Sequence, residues 1–377
     1  MSNLSKLFPS GSCVLIDAGL GSTLQKVFHV DTASSIWSSE ALVKCPESII
    51  EAHLLFLKAG ACLIETASYQ GSFSTYARAG YSQDDAIRLM RSSVTLAAEA
   101  RSRFAAEANV PIDSVKIALS LASYGASLNR AHEYDGYYPP PYGPQAYVFP
   151  ADPTNPNRNA FRADEREQEV QSEDALTEFH LERLRVYAED KQTWRSLDAL
   201  AFETIPLARE VRAIRRAIAV LEDKMAPEDH KPWWVCAVYA SNEFPEERPS
   251  REGGRLGAKE VLAAYFDDVP NDAVAGCQNA RYPVPDAFGI NCTSVGHVAS
   301  AVAAISEVLA EMGDDTARVG GGQPWLKRPL GDEWARELGE IVRAAGEKRV
   351  WGGILVGGCC TTGDGELRSL RKVLESL

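Results

Sequence analysis

The segment Gly353-Ile354-Leu355-Val356-Gly357-Gly358-Cys359-Cys360 joins a short apolar run to two glycines and two adjacent cysteines. A second segment, Ala287 to Asn291, ends in a similar way, because its last residues read Gly289-Ile290-Asn291-Cys292. Cys359 follows Cys292 by 67 residues, about the length of two β/α units. In a parallel barrel the carboxyl ends of all strands meet at one rim, so we expect the three sulfurs to lie together there.

Short apolar or β-branched runs alternate with helical patterns along the chain, which favours a parallel α/β sheet. The seven strand candidates are residues 14–16, 62–66, 115–121, 199–204, 233–239, 287–291 and 353–356. One helical pattern begins at Pro46, and three others extend over residues 84–108, 172–189 and 208–223. Seven strands in 377 residues are nearer a (β/α)₈ TIM barrel than an open doubly wound sheet, although the spacing alone allows both. We predict the barrel.

The Pro-rich stretch at residues 137–166 contains Pro139-Pro140-Pro141 and predicts a long loop after the third strand. A linker between two domains is the alternative. Strands and helices continue to alternate beyond the stretch without a change of character. We therefore predict one domain over residues 1–377, with a loop excursion at about 137–166.

Composition excludes several classes of protein. The net charge of −13 and the lack of a Lys/Arg cluster disfavour a nucleic-acid or anionic-membrane partner. No uninterrupted apolar stretch is long enough to span a bilayer, and the amino terminus does not resemble a secretory signal, so we expect a cytoplasmic protein. Eight cysteines scattered along the chain do not indicate a disulfide framework. The turn from Asp17 to Gly21 has only two glycines, which disfavours a dinucleotide cofactor.

Three thiols at one rim are a candidate zinc site, since catalytic zinc takes three protein ligands and leaves a fourth position for substrate. A fourth thiolate, from a substrate, would be held deprotonated at neutral pH and could attack a methyl group on a cationic sulfur or nitrogen. The competing interpretation is that Cys292, Cys359 and Cys360 are small buried apolar residues. Gly357-Gly358 favours the metal site, because it lets the backbone turn tightly and approach a ligand at a strand end.

The two cysteine motifs resemble the zinc motifs of the homocysteine S-methyltransferases, and the resemblance covers nearly the whole chain. Further segments match the family in its order: Asp17 to Leu24, Thr66-Ala67-Ser68-Tyr69-Gln70, Ser123-Tyr124-Gly125-Ala126 with Glu133-Tyr134, and Phe202-Glu203-Thr204-Ile205-Pro206. The resemblance implies a monomeric (β/α)₈ barrel that moves a methyl group from S-methylmethionine or S-adenosylmethionine to homocysteine. It implies one zinc ion held by Cys292, Cys359 and Cys360.

By the same resemblance, Glu203 receives the amino group of homocysteine and Asp17 is a further polar contact. A carboxylate facing an ammonium anchors and selects an α-amino acid. Helix capping by Glu203 and turn capping by Asp17 are the alternatives. Tyr69, Gln70 and Asn291 are predicted to line the same rim, where barrel packing explains them almost as well. His53 and His297 are expected not to be metal ligands.

The resemblance breaks at residues 311–330, where the family has a seventh strand followed by a Tyr-Pro-Asn loop and this sequence has a run of three glycines. We expect an abnormal or incomplete seventh strand, with a segment absent near Trp325 to Lys327. An unclosed parallel barrel would expose strand edges. A zinc-binding pseudoenzyme that lost turnover with its seventh strand is one alternative function. A methyltransferase for another thiol or selenol amino acid such as selenocysteine, using the same zinc chemistry, is the other.

Overall fold

The computed structural model describes residues 3–31, 36–249, 253–267, 282–312, 318–324 and 331–377. Eight strands form one curled parallel sheet in the order β1-β8-β7-β6-β5-β4-β3-β2. The strands are Cys13–Leu15 (β1), Leu63–Glu65 (β2), Lys116–Ala122 (β3), Ala199–Ile205 (β4), Trp233–Ala237 (β5), Ala287–Thr293 (β6), Arg318–Pro324 (β7) and Trp351–Val356 (β8). A parallel bridge between Ile16 and Leu63 joins the two edges of the sheet. The predicted (β/α)₈ barrel is confirmed.

Helices follow the strands along the chain, as in other β/α barrels. They are Leu20–Val27 (α1), Ala41–Lys44 (α2), Pro46–Ala59 (α3), Phe73–Arg78 (α4), Gln83–Ala108 (α5), Arg166–Ala188 (α6), Lys191–Ser196 (α7), Ala208–Glu222 (α8), Ala258–Phe266 (α9), Val295–Met312 (α10), Asp332–Lys348 (α11) and Asp364–Leu374 (α12).

Local sequence sets several helix ends. Helix α3 begins with Pro46 at its first position, where the missing N–H costs nothing, and ends at Gly60, which has φ +110°. Helix α5 begins after Ser82, whose hydroxyl accepts a hydrogen bond from the amide of Asp85. It ends at Asn109 in the left-handed conformation.

The barrel interior is filled by small and branched side chains from alternate strand positions. Leu63, Ala118, Ala201 and Trp234 belong to this interior cluster, and Leu4 from the amino-terminal 3₁₀ turn packs into it. Neighbouring positions on the strands point outward and pack against the helices, as Ile64 does. Because side chains alternate along a strand, the residue two positions after Leu63 also points inward, at the carboxyl end of the barrel.

The expectation of an incomplete seventh strand is wrong. The backbone of β7 pairs with both neighbours, and Gly320 lies opposite Phe288 of β6 and Ile354 of β8. Strands are recognised in sequence by β-branched and aromatic residues, which a run of three glycines lacks. The flanking strands nevertheless carry backbone groups that need partners, and glycine supplies them as well as any residue. Residues 313–317 and the predicted break near Trp325 to Lys327 lie outside the described residues.

The Pro-rich excursion contains no helix or named strand over residues 137–165, and α6 begins at Arg166. Asn159 holds it against the barrel, because its side-chain amide donates to the carbonyl groups of Asp135 at 2.6 Å and Pro245 at 2.8 Å. The interpretation of residues 1–377 as one domain stays a prediction.

The fold bears on the cysteines and on the longest apolar helix. The seven described cysteines are all free thiols; Cys277 lies outside the described residues. Helix α10, however, is long and apolar enough to cross a bilayer by length and composition, contrary to the expectation from the sequence. In the fold it buries Val298, Ile305 and Leu309 within the cluster that lies between helices and strands.

A buried polar network attaches the excursion to the barrel. Glu210 in the first turn of α8 is fully buried and accepts three hydrogen bonds. The donors are the amide of Tyr124 at 2.7 Å, the hydroxyl of Tyr138 at 2.7 Å and His180 Nε2 at 3.0 Å. One carboxylate therefore connects the loop after β3, the excursion and helix α6.

Replacing Glu210 by alanine is expected to lower the free energy of unfolding by about 3 kcal/mol, because three buried donors lose their acceptor. Urea denaturation followed by circular dichroism measures the change. Glu178→Ala is the control, since Glu178 is exposed and pairs only at the surface with Arg185. Equal stability of the two variants would show that the network does not hold the excursion.

Candidate metal centre and active site

Three cysteine side chains meet at the carboxyl end of the barrel. Cys292 lies near the end of β6, and Cys359 and Cys360 follow β8. The Sγ atoms of Cys292 and Cys359 are 3.0 Å apart, and those of Cys359 and Cys360 are 4.0 Å apart. All three sulfurs lie within 4.8 Å of one another, so the structure brings together the three residues that the sequence predicted.

The two glycines before Cys359 allow the turn after β8 to approach β1. A Cβ atom on Gly357 would lie 2.5 Å from the carbonyl oxygen of Asp17, and one on Gly358 would lie 2.1 Å from Thr362 Oγ1. The Gly358 amide instead donates to the Asp17 carbonyl at 2.9 Å. No larger side chain fits at either position without moving the backbone.

Cys292 is aimed by an irregular strand end. Its φ is +48°, and the pairing of β6 with β7 shifts register between Asn291 and Thr293. The Asn291 side chain accepts from the Thr204 amide at 2.8 Å and donates to Thr204 Oγ1 at 2.9 Å. Thr204 also has a positive φ, of +57°. These paired irregularities, typical of strand ends beside functional sites, fix the direction of the Cys292 side chain.

The donor set fits a tetrahedral soft-metal site. Zn–S bonds of about 2.3 Å place neighbouring ligand sulfurs about 3.8 Å apart, which lies between the separations of 3.0 Å and 4.0 Å seen here. Hydrogen bonds from Cys292 and Cys359 lower the pKa of the Cys360 thiol to about 4. Hydrogen bonds to Cys292 and Cys360 raise the pKa of Cys359 well above its usual range. A lowered pKa at Cys360 favours its thiolate, which suits the binding of a cation.

A cluster of buried carboxyl groups lies in the same cavity as the thiols, just after β1 and on β2 and β4. Asp17 Oδ2 accepts from the Glu65 amide at 2.8 Å, whereas Asp17 Oδ1 has no hydrogen-bond partner within the described part of the chain. Glu203 Oε2 accepts from the Ser120 hydroxyl at 2.7 Å. Burial raises the pKa of Asp17 well above its usual range and that of Glu203 to about 7. A cationic ligand would keep both groups ionised.

Glu65 and Ser120 were not predicted as site residues. The signal that could have found Glu65 is alternation, because Glu65 is two positions after the inward-facing Leu63 in an otherwise apolar strand. Glu65 forms a hydrogen bond with Glu203 that lowers the pKa of Glu203.

Two further residues of the site come from the loop after β3. Glu133 is 8% exposed, and burial raises the pKa of its carboxyl to about 6. Tyr134 lines the same cavity as the thiols, and burial and the charges of all three cysteines raise the pKa of its hydroxyl. The sequence matched Glu133-Tyr134 to a family motif without assigning them to the site.

A cavity of about 400 Å³ is lined by the three cysteines and by the carboxyl groups of Asp17, Glu65, Glu133 and Glu203. Every residue predicted for the site lines it, namely Asp17, Tyr69, Gln70, Glu203, Asn291, Cys292, Cys359 and Cys360. Tyr69 forms a hydrogen bond with Thr204, and burial raises the pKa of its hydroxyl. Their common location is established, whereas the role of each residue stays a prediction.

Neither histidine considered from the sequence lines the cavity. His53 is fully buried within α3. His297 Nδ1 faces the carbonyl oxygen of Tyr239 at 3.2 Å.

Comparison with known proteins agrees with this geometry. The family model described as homocysteine S-methyltransferase matches residues 14–374. Homocysteine S-methyltransferase 4 of Zea mays is 27% identical over 374 residues, covering 97% of this chain and 90% of the relative. Selenocysteine Se-methyltransferase of Brassica oleracea var. italica is 26% identical over 386 residues, covering 97% of this chain and 90% of that protein.

A solved structure shares the fold. The metallated form of the Escherichia coli homocysteine methyltransferase MmuM superimposes with a TM-score of 0.66 at 24% identity, over 98% of this chain and 99% of that one. The family model matches nearly the whole chain, and the alignment with the Zea mays relative covers 90% of that protein. This chain therefore belongs to the homocysteine S-methyltransferase family.

Proposed function

We propose that this protein transfers a methyl group from S-methylmethionine, or from S-adenosylmethionine, to the sulfur of homocysteine and so forms methionine. The observation that carries the proposal is the group of three cysteine sulfurs within 4.8 Å of one another, in a cavity that also contains buried carboxyl groups. Thiolates suit a soft metal, and buried carboxylates suit the ammonium groups of amino acids. A zinc-dependent methyl transfer between two amino acids requires both a metal site and groups that bind ammonium.

Cys292, Cys359 and Cys360 would hold one zinc ion. When bound, zinc supplies a Lewis acid that keeps an acceptor thiol deprotonated at neutral pH. The protein contributes a fixed arrangement of the three ligands, since the turn at Gly357-Gly358 and the irregular end of β6 leave little freedom. Preorganised ligands favour binding because little conformational entropy is lost.

Glu203 would anchor the α-ammonium of homocysteine, with Asp17 Oδ1 as a second acceptor. Ser120 orients the Glu203 carboxylate through the bond of 2.7 Å to its Oε2. Asp17 is held by the Glu65 amide through its other oxygen, Oδ2. The ammonium end is thereby fixed at the strand ends while the sulfur reaches the thiol cluster.

The transfer itself is a displacement at carbon. A lone pair of the acceptor sulfur forms the new C–S bond, and the bond between the methyl carbon and the sulfonium sulfur breaks with its electrons moving to the donor. The donor leaves as a neutral thioether, and the acceptor thiol has already released its proton. Alignment of the two sulfurs through the methyl carbon is the main contribution that a rigid cavity can make.

A selenol acceptor is the second candidate. The Brassica relative named selenocysteine Se-methyltransferase is as similar to this chain as the homocysteine enzymes are. The same thiol and carboxylate arrangement would bind either acceptor. The pseudoenzyme alternative rested on a missing seventh strand, and β7 is present.

Metal content and turnover should be lost together. Reduced protein is expected to contain about one zinc per chain and to form methionine from homocysteine and S-methylmethionine. Cys359→Ala is expected to lose both, because two thiolates do not complete the ligand set. Elemental analysis and methionine chromatography on the same preparation measure this. Cys62→Ser removes an exposed thiol outside the cavity and should change neither. Full turnover in metal-free protein would refute the mechanism.

Glu203→Gln is expected to raise the KM for homocysteine by about 10- to 100-fold, because a charged hydrogen bond to the ammonium is replaced by a neutral one. The KM for the methyl donor should change less than about twofold, since the donor does not use this group. Steady-state kinetics with each substrate varied in turn gives both values. An equal rise in both KM values would indicate a general structural role for Glu203.

Competition between acceptors distinguishes the two candidate functions. Selenocysteine is one methylene shorter than homocysteine, and one missing methylene in a fitted site is worth about 10- to 200-fold in kcat/KM. We therefore expect homocysteine to be preferred when both are supplied with S-methylmethionine, with products separated by mass spectrometry. A preference for selenocysteine would assign the chain to selenol methylation.

A further inference from the structure

The cavity contains a buried carboxylate that the proposed acceptor site does not use. Glu133 lines the cavity and is more than nine-tenths buried. Its Oε2 atom is shielded from solvent and has no hydrogen-bond partner among the residues that the structure describes. Burying an unpaired carboxylate oxygen is costly, so such a group is expected to have a ligand as its partner.

Glu133 is held in place by its backbone. The His132 amide donates to the Gly125 carbonyl at 3.1 Å, and the Gly136 amide donates to the His132 carbonyl at 2.9 Å. A Cβ atom on Gly125 would lie 2.7 Å from the Glu133 amide nitrogen, so the two loop segments are in direct contact. His132 Nδ1 bonds Asp135 at 2.9 Å. The carboxylate is therefore presented to the cavity by a compact turn.

The proposed reaction has two amino-acid substrates and therefore two ammonium groups. Glu203 and Asp17, on the strand ends, account for the ammonium of the acceptor. Glu133 lies on a different element, the loop after β3, and its neighbour Tyr134 lines the cavity together with the thiols where the methyl group would be transferred. A donor with its sulfonium at the thiols would extend its amino-acid end within the same cavity.

We propose that Glu133 binds the α-ammonium group of the methyl donor, and so selects sulfonium donors that carry an amino acid. This inference rests on the proposed function. It assigns the donor class to a loop residue, whereas the acceptor is bound by residues of the strands.

The ammonium is a better partner for Glu133 than the sulfonium is. The sulfonium loses its positive charge during the transfer, so a carboxylate in contact with it would stabilise the ground state more than the transition state. The ammonium keeps its charge throughout. A carboxylate bound to it contributes equally to both states and improves capture of the donor without slowing the chemical step.

The test compares S-methylmethionine with its analogue lacking the amino group, 4-(dimethylsulfonio)butanoate, in the wild-type protein and in Glu133→Gln. The analogue is measured as a substrate and as an inhibitor of the S-methylmethionine reaction. Wild type is expected to favour S-methylmethionine by about 10- to 100-fold in kcat/KM or in binding constant. In Glu133→Gln this preference should fall to less than about threefold, with the KM for homocysteine unchanged within about twofold.

Two further variants control for charge and folding. Glu167→Gln removes one negative charge from the exposed first turn of α6 and should behave as wild type. Glu133→Asp keeps the charge but withdraws it by one methylene, and an intermediate preference is expected. Thermal melting of each variant reports folding, and Glu133→Asp carries the comparison if Glu133→Gln does not fold.

The outcomes are distinct. An equal loss of kcat/KM for both donors in the Glu133 variants, or a rise confined to the KM for homocysteine, would overturn the inference while leaving the proposed function intact. A wild-type protein that does not discriminate between the two donors would do the same. Absence of transfer from both S-methylmethionine and S-adenosylmethionine in zinc-loaded wild type would overturn the proposed function, and the inference with it.

Discussion

The contact between the turn after β8 and the end of β1 determines both the closure of the barrel and the position of the thiols. The Asp17 carbonyl accepts from the Gly358 amide, and the Asp17 side chain accepts from the Glu65 amide on β2. One residue thus connects three strands at the seam where β1 and β2 meet through a bridge at Ile16. The structural and ligand-binding interpretations of Asp17 are therefore compatible, since Oδ2 serves the seam and Oδ1 remains for the cavity.

The same end of the barrel concentrates carboxyl groups in a buried volume. Asp17, Glu203 and Glu133 all have raised pKa values, chiefly because of burial. Like charges and desolvation make this arrangement costly in the ligand-free protein. A divalent metal and two ammonium groups would compensate the charge, so the features that weaken the free site are those that favour its cationic ligands.

Sequence patterns were informative where side chains identify the local structure. Seven strands and the cysteine motifs followed from apolar runs and from the residues at their ends. Strand β7 did not, because its Gly320-Gly321-Gly322 run has no strand-forming side chains and its pairing is imposed by β6 and β8. Glu133 could not be placed from sequence either. Its position depends on the contact with Gly125 within the same loop, and on the network around Glu210, which joins this loop to a helix far along the chain.

Acceptor binding and donor binding would depend on different parts of the fold, the strand ends and the loop after β3. Residues at strand ends are fixed by the barrel, so the three cysteines of the cavity and Glu203 cannot move without disturbing the fold. A loop residue such as Glu133 can change with smaller effects on the barrel, because loops tolerate substitution better than the elements that they connect. Acceptor chemistry and metal binding would then be the conserved demands of this architecture. Donor selection would be its adjustable part, located on the loop after β3 and attached to the barrel through Glu210.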